Sequence, residues 1–517
     1  MENKEVIMKF HKLNRNVRPP NTGQNCVYLQ IDHWNDYSFV TMFQLSLHDE
    51  NGTFHELGNI KIGFKNQDES ISTHSTLPTN FQELPENYFS LGTDVDYYAT
   101  LKNNFSDDFT HNFLTSLKDI VFDSDNLAIA SNEKVLSTSL LRMVRMSMVK
   151  GQFKTVLDGG VPLTDFKFMY QRNQEEKFAG IELDFEVKAY SKPITNIYAI
   201  IGRNGVGKTT ILNGMVDAIT TKHETQGTFI NKGEWEPSPI DDEYFSSLIS
   251  ISFSAFDPFV PPPDQPDPEF GPCYYYIGLK DSSDEEKTRL KTLKQLHKEF
   301  VDSLSQCFSD ANKRKRWLTA ITTLSSDENF AEMELDSLAN FTEETLRKNA
   351  FNRIELMSSG HAVVLLTLTK LVATVVEKTL ILVDEPESHL HPPLLSAFTR
   401  ALSQLLFDRN GVAIIATHSP VVLQEIPRSC VWKVTRSRLT ISKKNPDIES
   451  FGENVGVLTR EVFGLEVVKS GFHTLLTDAV QKGSSYEDIV NEYGGQLGYE
   501  AKAILQSMIL ERDQSGQ

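Results

Sequence analysis

The residues best suited to chemistry form one short run, Gly202-Arg203-Asn204-Gly205-Val206-Gly207-Lys208-Thr209, which fits G-x-x-x-x-G-K-[ST] at every fixed position. Glycines at this spacing let the backbone of Asn204, Gly205, Val206 and Gly207 wrap closely around phosphates with its N–H groups turned inward. A strand-like stretch, ITNIYAIIG (194–202), precedes the turn and a helical one, TTILNGMVDAITT, follows it. The start of that helix, with Thr209 and Thr210, adds its positive end to the same anion site. Lys208 is placed to reach the β- and γ-phosphates of a nucleoside triphosphate, and the Thr209 hydroxyl to enter a Mg²⁺ shell. An isolated glycine turn also arises by chance, and the flanking strand and helix separate the two readings.

A second group follows. Leu380-Ile381-Leu382-Val383-Asp384-Glu385 is an apolar strand ending in two acids. A buried strand would deliver Asp384 beside Thr209, where it can hold Mg²⁺ or its water, and Glu385 next to it can polarise an attacking water. The bland alternative is an ordinary strand with acids at its solvent end. Met357-Ser358-Ser359-Gly360-His361 opens an apolar helix, with Gly360 24 residues before Asp384. Glu387-Ser388-His389-Leu390-His391-Pro392 follows the acids, and His418, 34 residues after Asp384, ends the strand GVAIIAT. A lone histidine at a strand end is usually structural; the order and spacing of all five elements argue for more.

Together these elements resemble the ATPase heads of ABC and SMC proteins over roughly 190–435. The resemblance implies an α/β fold: an ABC-type P-loop head with a mixed central sheet, an antiparallel β layer and a helical insert. It implies ATP with Mg²⁺, the metal held by Thr209 and Asp384. Glu385 would be the catalytic base, His418 the sensor of the γ-phosphate, and Lys208 its phosphate-binding partner. Ser358, Ser359 and Gly360 would grip ATP held by an opposite subunit, which requires at least a dimer, and residues 387–392 would form the dimer-contacting loop. Two departures stand out. His361 replaces the usual glutamine of the serine–glycine signature. The loop after the second core strand, Ser252-Phe253-Ser254-Ala255-Phe256-Asp257, lacks the family's glutamine, with Ser252 and Ser254 both open as substitutes, so slow turnover is expected.

Several branches of this class compete. A transporter subunit fits poorly, given the missing glutamine, the His391-Pro392 ending and the long region before the turn. A nuclease of the overcoming-lysogenization-defect type would need a metal-binding acid set after His418, and no D-x-D is found there. SMC-type DNA-repair ATPases carry long coiled-coil arms, yet only 152 residues separate Lys208 from Gly360, room for a helical hairpin at most. The segments ISFSAFDPF, CYYYIGLKD (273–281) and TREVFGLEVVKSGFHTLL (459–476) are similar to the PtuA ATPase of Septu anti-phage defence, most of all in its retron-associated version. That resemblance implies a partner HNH nuclease, PtuB, and in the retron case a reverse transcriptase with its RNA–DNA hybrid. The alternative is an ATPase of the DNA-repair or overcoming-lysogenization-defect kind acting directly on DNA.

The elements that must position these residues are legible in outline. Residues 1–22 read as a flexible arm. Residues 23–190 read as an N-terminal β/α region that contributes a β layer to the ATPase, with strand-like alternation from Cys26 to Phe64 and helical spacing over 80–150. Residues 191–282 form the lobe carrying the glycine turn, ending in a proline-rich loop (DPFVPPPDQPDPEFGP) expected to be exposed and poorly ordered. Residues 283–355 form the helical insert, 356–448 the lobe with the signature, the acids and His418, and 449–517 a C-terminal helical region for partner docking.

Composition sets the outer bounds. At 517 residues the chain calls for two or three domains. Its net charge of −19 argues against broad attachment to DNA or anionic lipid. The basic run Lys313–Arg316 is where any contact with nucleic acid would fall, set against the solvated helix face that such runs more often mark. The 4 cysteines show no metal-ligand spacing and read as unpaired thiols. No long apolar run and no secretory leader are seen, which predicts a cytoplasmic protein without a membrane span.

Overall fold

The strands Ile197–Ile201, Ser247–Ser252, Thr379–Asp384 and Val412–Thr417 are buried at every position. Apolar side chains on both faces are what a central parallel strand requires. In the computed structural model they sit in a seven-stranded sheet. Its order is Cys273–Gly278, Ser247–Ser252, Thr379–Asp384, Val412–Thr417, Ile197–Ile201, Val431–Ser437, Thr440–Lys444. Every pairing is parallel except the last. The structure describes residues 8–15, 17–32, 36, 39–142, 144–159, 163–175, 179–221, 226–233, 236–254, 259–281, 289–437, 440–464 and 471–515.

An antiparallel layer of four strands packs into the same core: Ser238–Pro239, Gly227–Asn231, Phe166–Arg172 and Ile181–Val187. The last two alternate buried and more open positions, as a sheet with one packed face does. The layer seats the helix Lys208–Thr220 closely. A Cβ on its Gly214 would lie 2.4 Å from the Tyr170 hydroxyl, so a larger residue cannot enter there without displacing that ring. Central parallel sheet, antiparallel layer and helical insert together give the ABC/SMC-head architecture.

The N-terminal region departs from expectation. Lys9–Leu13, placed in a flexible arm, is a strand paired in parallel with Cys26–Ile31 and antiparallel with Asn80–Phe81. Phe10, its second residue, is fully buried, which explains why the segment is held. Tyr88–Gly92, expected helical, is also a strand and closes a six-stranded sheet. Helices Val95–Asn104, Asp107–Ser116 and Ser124–Ala130 cover that sheet and share with it a hydrophobic core separate from the ATPase core. The β layer of the ATPase therefore starts at Phe166, and the strands from Cys26 to Phe64 belong to this other unit.

Two more expectations change. The described part of the proline-rich loop is tied down: Gln265 bridges Tyr274, and the Asp264 carboxylate accepts from the Tyr276 amide. The insert is more than a hairpin, with helices Leu293–Phe308, Ala311–Leu324, Glu328–Glu332 and Glu343–Glu355 packed around a fully buried Trp317.

The basic run Lys313–Arg316 turns inward. Lys313 donates to the Ala373 carbonyl, Arg314 to the Ala339 carbonyl, and buried Arg316 pairs with Asp94 and Asp96 of the N-terminal unit. Only Lys315 of the four is exposed. Arg316 thus joins the two units while Lys313 is held by a carbonyl of the signature helix, so these two cations do not form an open patch; a buried cation needs its partners, and these have them.

Beyond Ile448, helix Val455–Phe463 packs on the ATPase core through Leu458 and Val462. Phe472–Gln481, Tyr486–Glu492 and Tyr499–Ser515 share a small core of their own. All four cysteines are free thiols. Among the described residues no helix is long and apolar enough to cross a membrane.

Candidate functional site

The sheet register brings the chemistry together. Ser252 pairs with Asp384, Asp384 with Ala416, and Ile201 with Thr417, so four carboxyl strand ends lie in line. The glycine turn leaves Ile201 at this edge. Gly205 and Gly207 have φ of 81° and 98°, the left-handed region that side chains disfavour. Gly202 has a different reason to be glycine: a Cβ there would lie 2.3 Å from the Val434 carbonyl. Asn204 and Gly205 are exposed at the rim while Val206 is buried beneath. Thr209 and Thr210 lie in the first turn of the following helix.

Lys208 is 4% exposed and lies across the turn. Its Nζ donates to the Gly202 carbonyl at 3.1 Å and the Arg203 carbonyl at 3.3 Å, and stands 3.8 Å from Glu385 Oε1. Glu385 reaches this place from an unusual backbone, with φ of 45° in a residue that is not glycine. Such a conformation costs roughly 1–2 kcal/mol and concentrates at functional sites. The Glu385 amide is held by the Ala416 carbonyl at 2.9 Å, and its carboxylate lies 3.7 Å from His418 Nδ1. Lysine, glutamate and histidine thus form one cluster at the sheet edge.

The residues beside them carry the oxygen donors that a hard cation would need. Asp384 is buried at the strand end, and its register neighbour Ser252 carries a buried hydroxyl oxygen without a hydrogen-bond partner. Paired strands put side chains at paired positions on one face. Oxygen donors from Asp384, Thr209 and Ser252 suit Mg²⁺, which accepts few protein ligands and keeps its waters. Between the two serines left open by the sequence, this orphaned atom favours Ser252. Ala255, Phe256 and Asp257 of the same loop lie outside the described residues.

Glu387 was missed as a member of this cluster. Its Oε1 accepts from the Thr417 hydroxyl at 2.7 Å and the His418 amide at 2.6 Å, and lies 3.0 Å from His418 Nδ1. The carboxylate fixes the His418 backbone amide and faces the imidazole. The sequence carries no local mark of this role, since the partners of Glu387 meet it only through the sheet, and the resemblance places the same loop at a dimer contact.

The signature lies elsewhere on the surface. Ser358 caps the helix Ser359–Thr374, and both serines are exposed. Gly360 presses on the next loop, where a Cβ would lie 2.5 Å from the His389 carbonyl, and the His389 ring is in turn held at 3.1 Å from the Phe253 carbonyl. Ser358 Oγ lies 2.6 Å from His361 Nδ1. His361 Nε2 is 3.2 Å from Asp327 Oδ1, and His391 Nε2 is 3.3 Å from Asp327 Oδ2. Burial alone would raise the Asp327 carboxyl, but hydrogen bonds from His361 and the Phe330 amide outweigh it and hold the group below its usual range. No described hydrogen bond or ion pair joins Ser358–Gly360 to Lys208, Glu385 or His418.

Sheet order and site together define the class, a P-loop ATPase domain of the ABC/SMC-head type. A family model described as "AAA domain, putative AbiEii toxin, Type IV TA system" matches residues 232–424, a span that begins after the glycine turn and includes Asp384, Glu385 and His418. Among solved structures, the ADP conformation of MJ1267, an ATP-binding cassette of an ABC transporter, is similar at a TM-score of 0.32 and 13% identity, over 59% of this chain and 97% of that one. The SMC head domain from Thermotoga maritima gives 0.31 and 11%, over 55% and 99%. Overlaps this loose leave the fold to rest on strand order and site geometry. Full-length similarity is found with Protein ea59 of Escherichia phage lambda, 50% identical over 526 aligned positions covering 98% of this chain and 99% of that protein. The chain belongs to the family of that phage protein.

Proposed function

We propose that the chain binds and slowly hydrolyses ATP with Mg²⁺ at an interface between two copies of itself. The observation that carries this reading is a separation. Lys208, Glu385 and His418 cluster at the sheet edge, while Ser358 and Ser359 are exposed and the Ser358–Gly360 tip shares no described hydrogen bond or ion pair with them. Each chain thus offers one half-site and one serine tip that shares no described hydrogen bond or ion pair with it. Leu356, 83% exposed beside the tip, supports burial of that surface in an assembly.

In this reading the turn Gly202–Thr209 and the residues Thr209 and Thr210 hold the phosphates. Asp384 and Thr209, with Ser252, hold Mg²⁺, which supplies charge neutralisation on the phosphate oxygens. Glu385 takes the proton of the attacking water, and His418, held by Glu387, reads the γ-phosphate. Ser358, Ser359 and Gly360 of the second copy close over that phosphate. Closure follows from tighter binding of ATP to the joined state and relaxes when the γ-phosphate leaves.

The finer role is control of a separate effector by a protein without a nuclease centre of its own, in the manner of the Septu and retron ATPases. The effector would be an HNH nuclease of the PtuB kind, with a reverse transcriptase and its RNA–DNA hybrid in the retron version. None of the relatives named above is a Septu or retron ATPase. What supports a docked partner is the C-terminal helical unit, which shows Leu475 and Tyr499 at 55% and 95% exposure. The alternative, action directly on DNA, loses its best foothold now that Lys313 and Arg316 face inward.

Lys208→Ala should abolish binding of a fluorescent ATP analogue, and Glu385→Gln should keep binding while ATP-dependent dimers accumulate in light scattering. Normal binding by the first, or wild-type turnover by the second, would remove those residues from the site. Robust cutting of DNA by the chain alone with Mg²⁺ or Mn²⁺ would contradict the separate effector.

A further inference from the structure

Asp327, His361 and His391 place three ligand atoms within 4.8 Å of one another, at a junction of three elements. Asp327 opens the Glu328–Glu332 helix of the insert, His361 lies in the first turn of the signature helix, and His391 caps the helix Pro392–Asp408. The cluster invites a metal reading. Proton accounting argues otherwise. The Leu394 amide donates to His391 Nδ1 at 3.3 Å, which leaves the ring proton on Nε2, facing Asp327 Oδ2. Asp327 Oδ1 already accepts from the Asn329 and Phe330 amides at 3.1 and 3.2 Å as well as facing His361 Nε2. A cation would have to meet a nitrogen that bears hydrogen.

The same accounting fixes what Ser358 does. Asp327 is a carboxylate and only accepts, so His361 Nε2 donates to it. A neutral His361 then has a bare Nδ1, and the Ser358 hydroxyl 2.6 Å away donates into it. In that state the serine turns its lone pairs outward, the wrong polarity for a phosphate oxygen. If His361 takes a second proton, Nδ1–H donates to Ser358 Oγ and the serine proton is released to point outward. The paired Asp327 carboxylate balances that charge inside the protein. Asp327 and His391 are the titratable groups described against His361, with the Phe330 ring on a third side at 5.2 Å.

We propose that Asp327 and His361 are positioning residues that aim the Ser358 hydroxyl, so that the tip offered to a second copy's ATP is set by how the helical insert is seated. This rests on the two-copy reading above. It also gives a reason for histidine where the signature usually has glutamine, since an imidazole can reverse the hydrogen bond and a glutamine amide cannot do so by protonation.

The test uses the full chain and ATP–Mg²⁺ in the Glu385→Gln background, with ATP binding to the single chain and ATP-driven association measured from pH 6 to 8. With His361 intact, association should strengthen as pH falls, the dimerisation constant rising by up to about a hundredfold per pH unit, one proton being taken up at each of the two tips. His361→Gln should still associate but with the pH dependence gone. Asp327→Asn, which keeps an oxygen for the amides it caps, should weaken association about tenfold or more while single-chain ATP binding and the melting temperature hold. Equal pH dependence with and without His361, or full association by Asp327→Asn, overturns the proposal. A stoichiometric Zn²⁺ or Mn²⁺ retained by the parent chain and lost from Asp327→Asn overturns it in favour of a metal tripod. If the parent chain binds ATP yet never associates, the two-copy reading itself falls and the relay with it, an outcome distinct from the other two.

Discussion

At the scale of single residues, the candidate centre depends on acids that differ in what they are asked to do. Asp384 is buried at a strand end, Glu385 stands out on a left-handed backbone, and Glu387 faces back to clasp the end of the neighbouring strand. The first two are legible from an apolar run ending in Asp-Glu. The third is not, because its partners Thr417 and His418 lie 30 and 31 residues away and meet it only through the sheet. Groups that orient a functional histidine are typically worth about 10–100-fold. Glu387→Ala should therefore lower kcat for ATP hydrolysis about 10–100-fold while leaving ATP affinity near that of the wild type. A steady-state assay paired with equilibrium ATP binding checks both halves of that expectation.

Among the elements, the helical insert changes most between sequence and structure. Its periodicity predicts helices, and helices are found, but periodicity says nothing about which face meets which neighbour. Trp317 settles that question: it is fully buried, its Nε1 donates to Thr369 Oγ1 of the signature helix at 2.9 Å, and Phe308 packs on its ring edge-to-face. The insert is thereby fastened to the helix whose tip carries Ser358. Trp317→Ala should cost about 3–5 kcal/mol, read by urea unfolding. It should also weaken ATP-driven association while leaving ATP binding at Lys208 intact, because the glycine turn is supported by a different set of contacts, the antiparallel layer.

For the molecule as a whole, buried charge holds the N-terminal unit to the ATPase. Asp94 meets Arg316 at 3.1 Å and Arg409 at 2.6 Å, and Arg409 also reaches Glu377 at 3.1 Å. The two arginines, foremost Arg409, overcome the burial of Asp94 and hold its carboxyl well below the usual range. Two other buried acids go the opposite way. Burial raises Asp119 to about 7 despite the Phe122 and Val121 amides and the Tyr98 hydroxyl, and raises Glu377 to about 7 despite Arg409. A folded-state value above the unfolded one gives stability that is complete below about pH 4 and is lost as pH rises through 7. Melting temperature should accordingly fall between pH 5 and pH 8. Asp119→Asn should flatten part of that fall, leaving the share due to Glu377. A melt series of both chains at the two pH values is sufficient.

By itself the sequence determined the glycine turn, the acid-ended strand, the order of these parts and the buried strands that carry them, because glycine turns, strand ends and apolar runs are local patterns with local causes. Only the tertiary structure decided that residues 9–13 belong to a sheet, that Lys313 and Arg316 face inward, that Glu387 holds His418, and that Asp327 stands behind the signature serine. Each of these joins residues far apart in the chain. A charge or a strand edge reads the same in sequence whether water or a distant partner satisfies it, and only packing chooses between them.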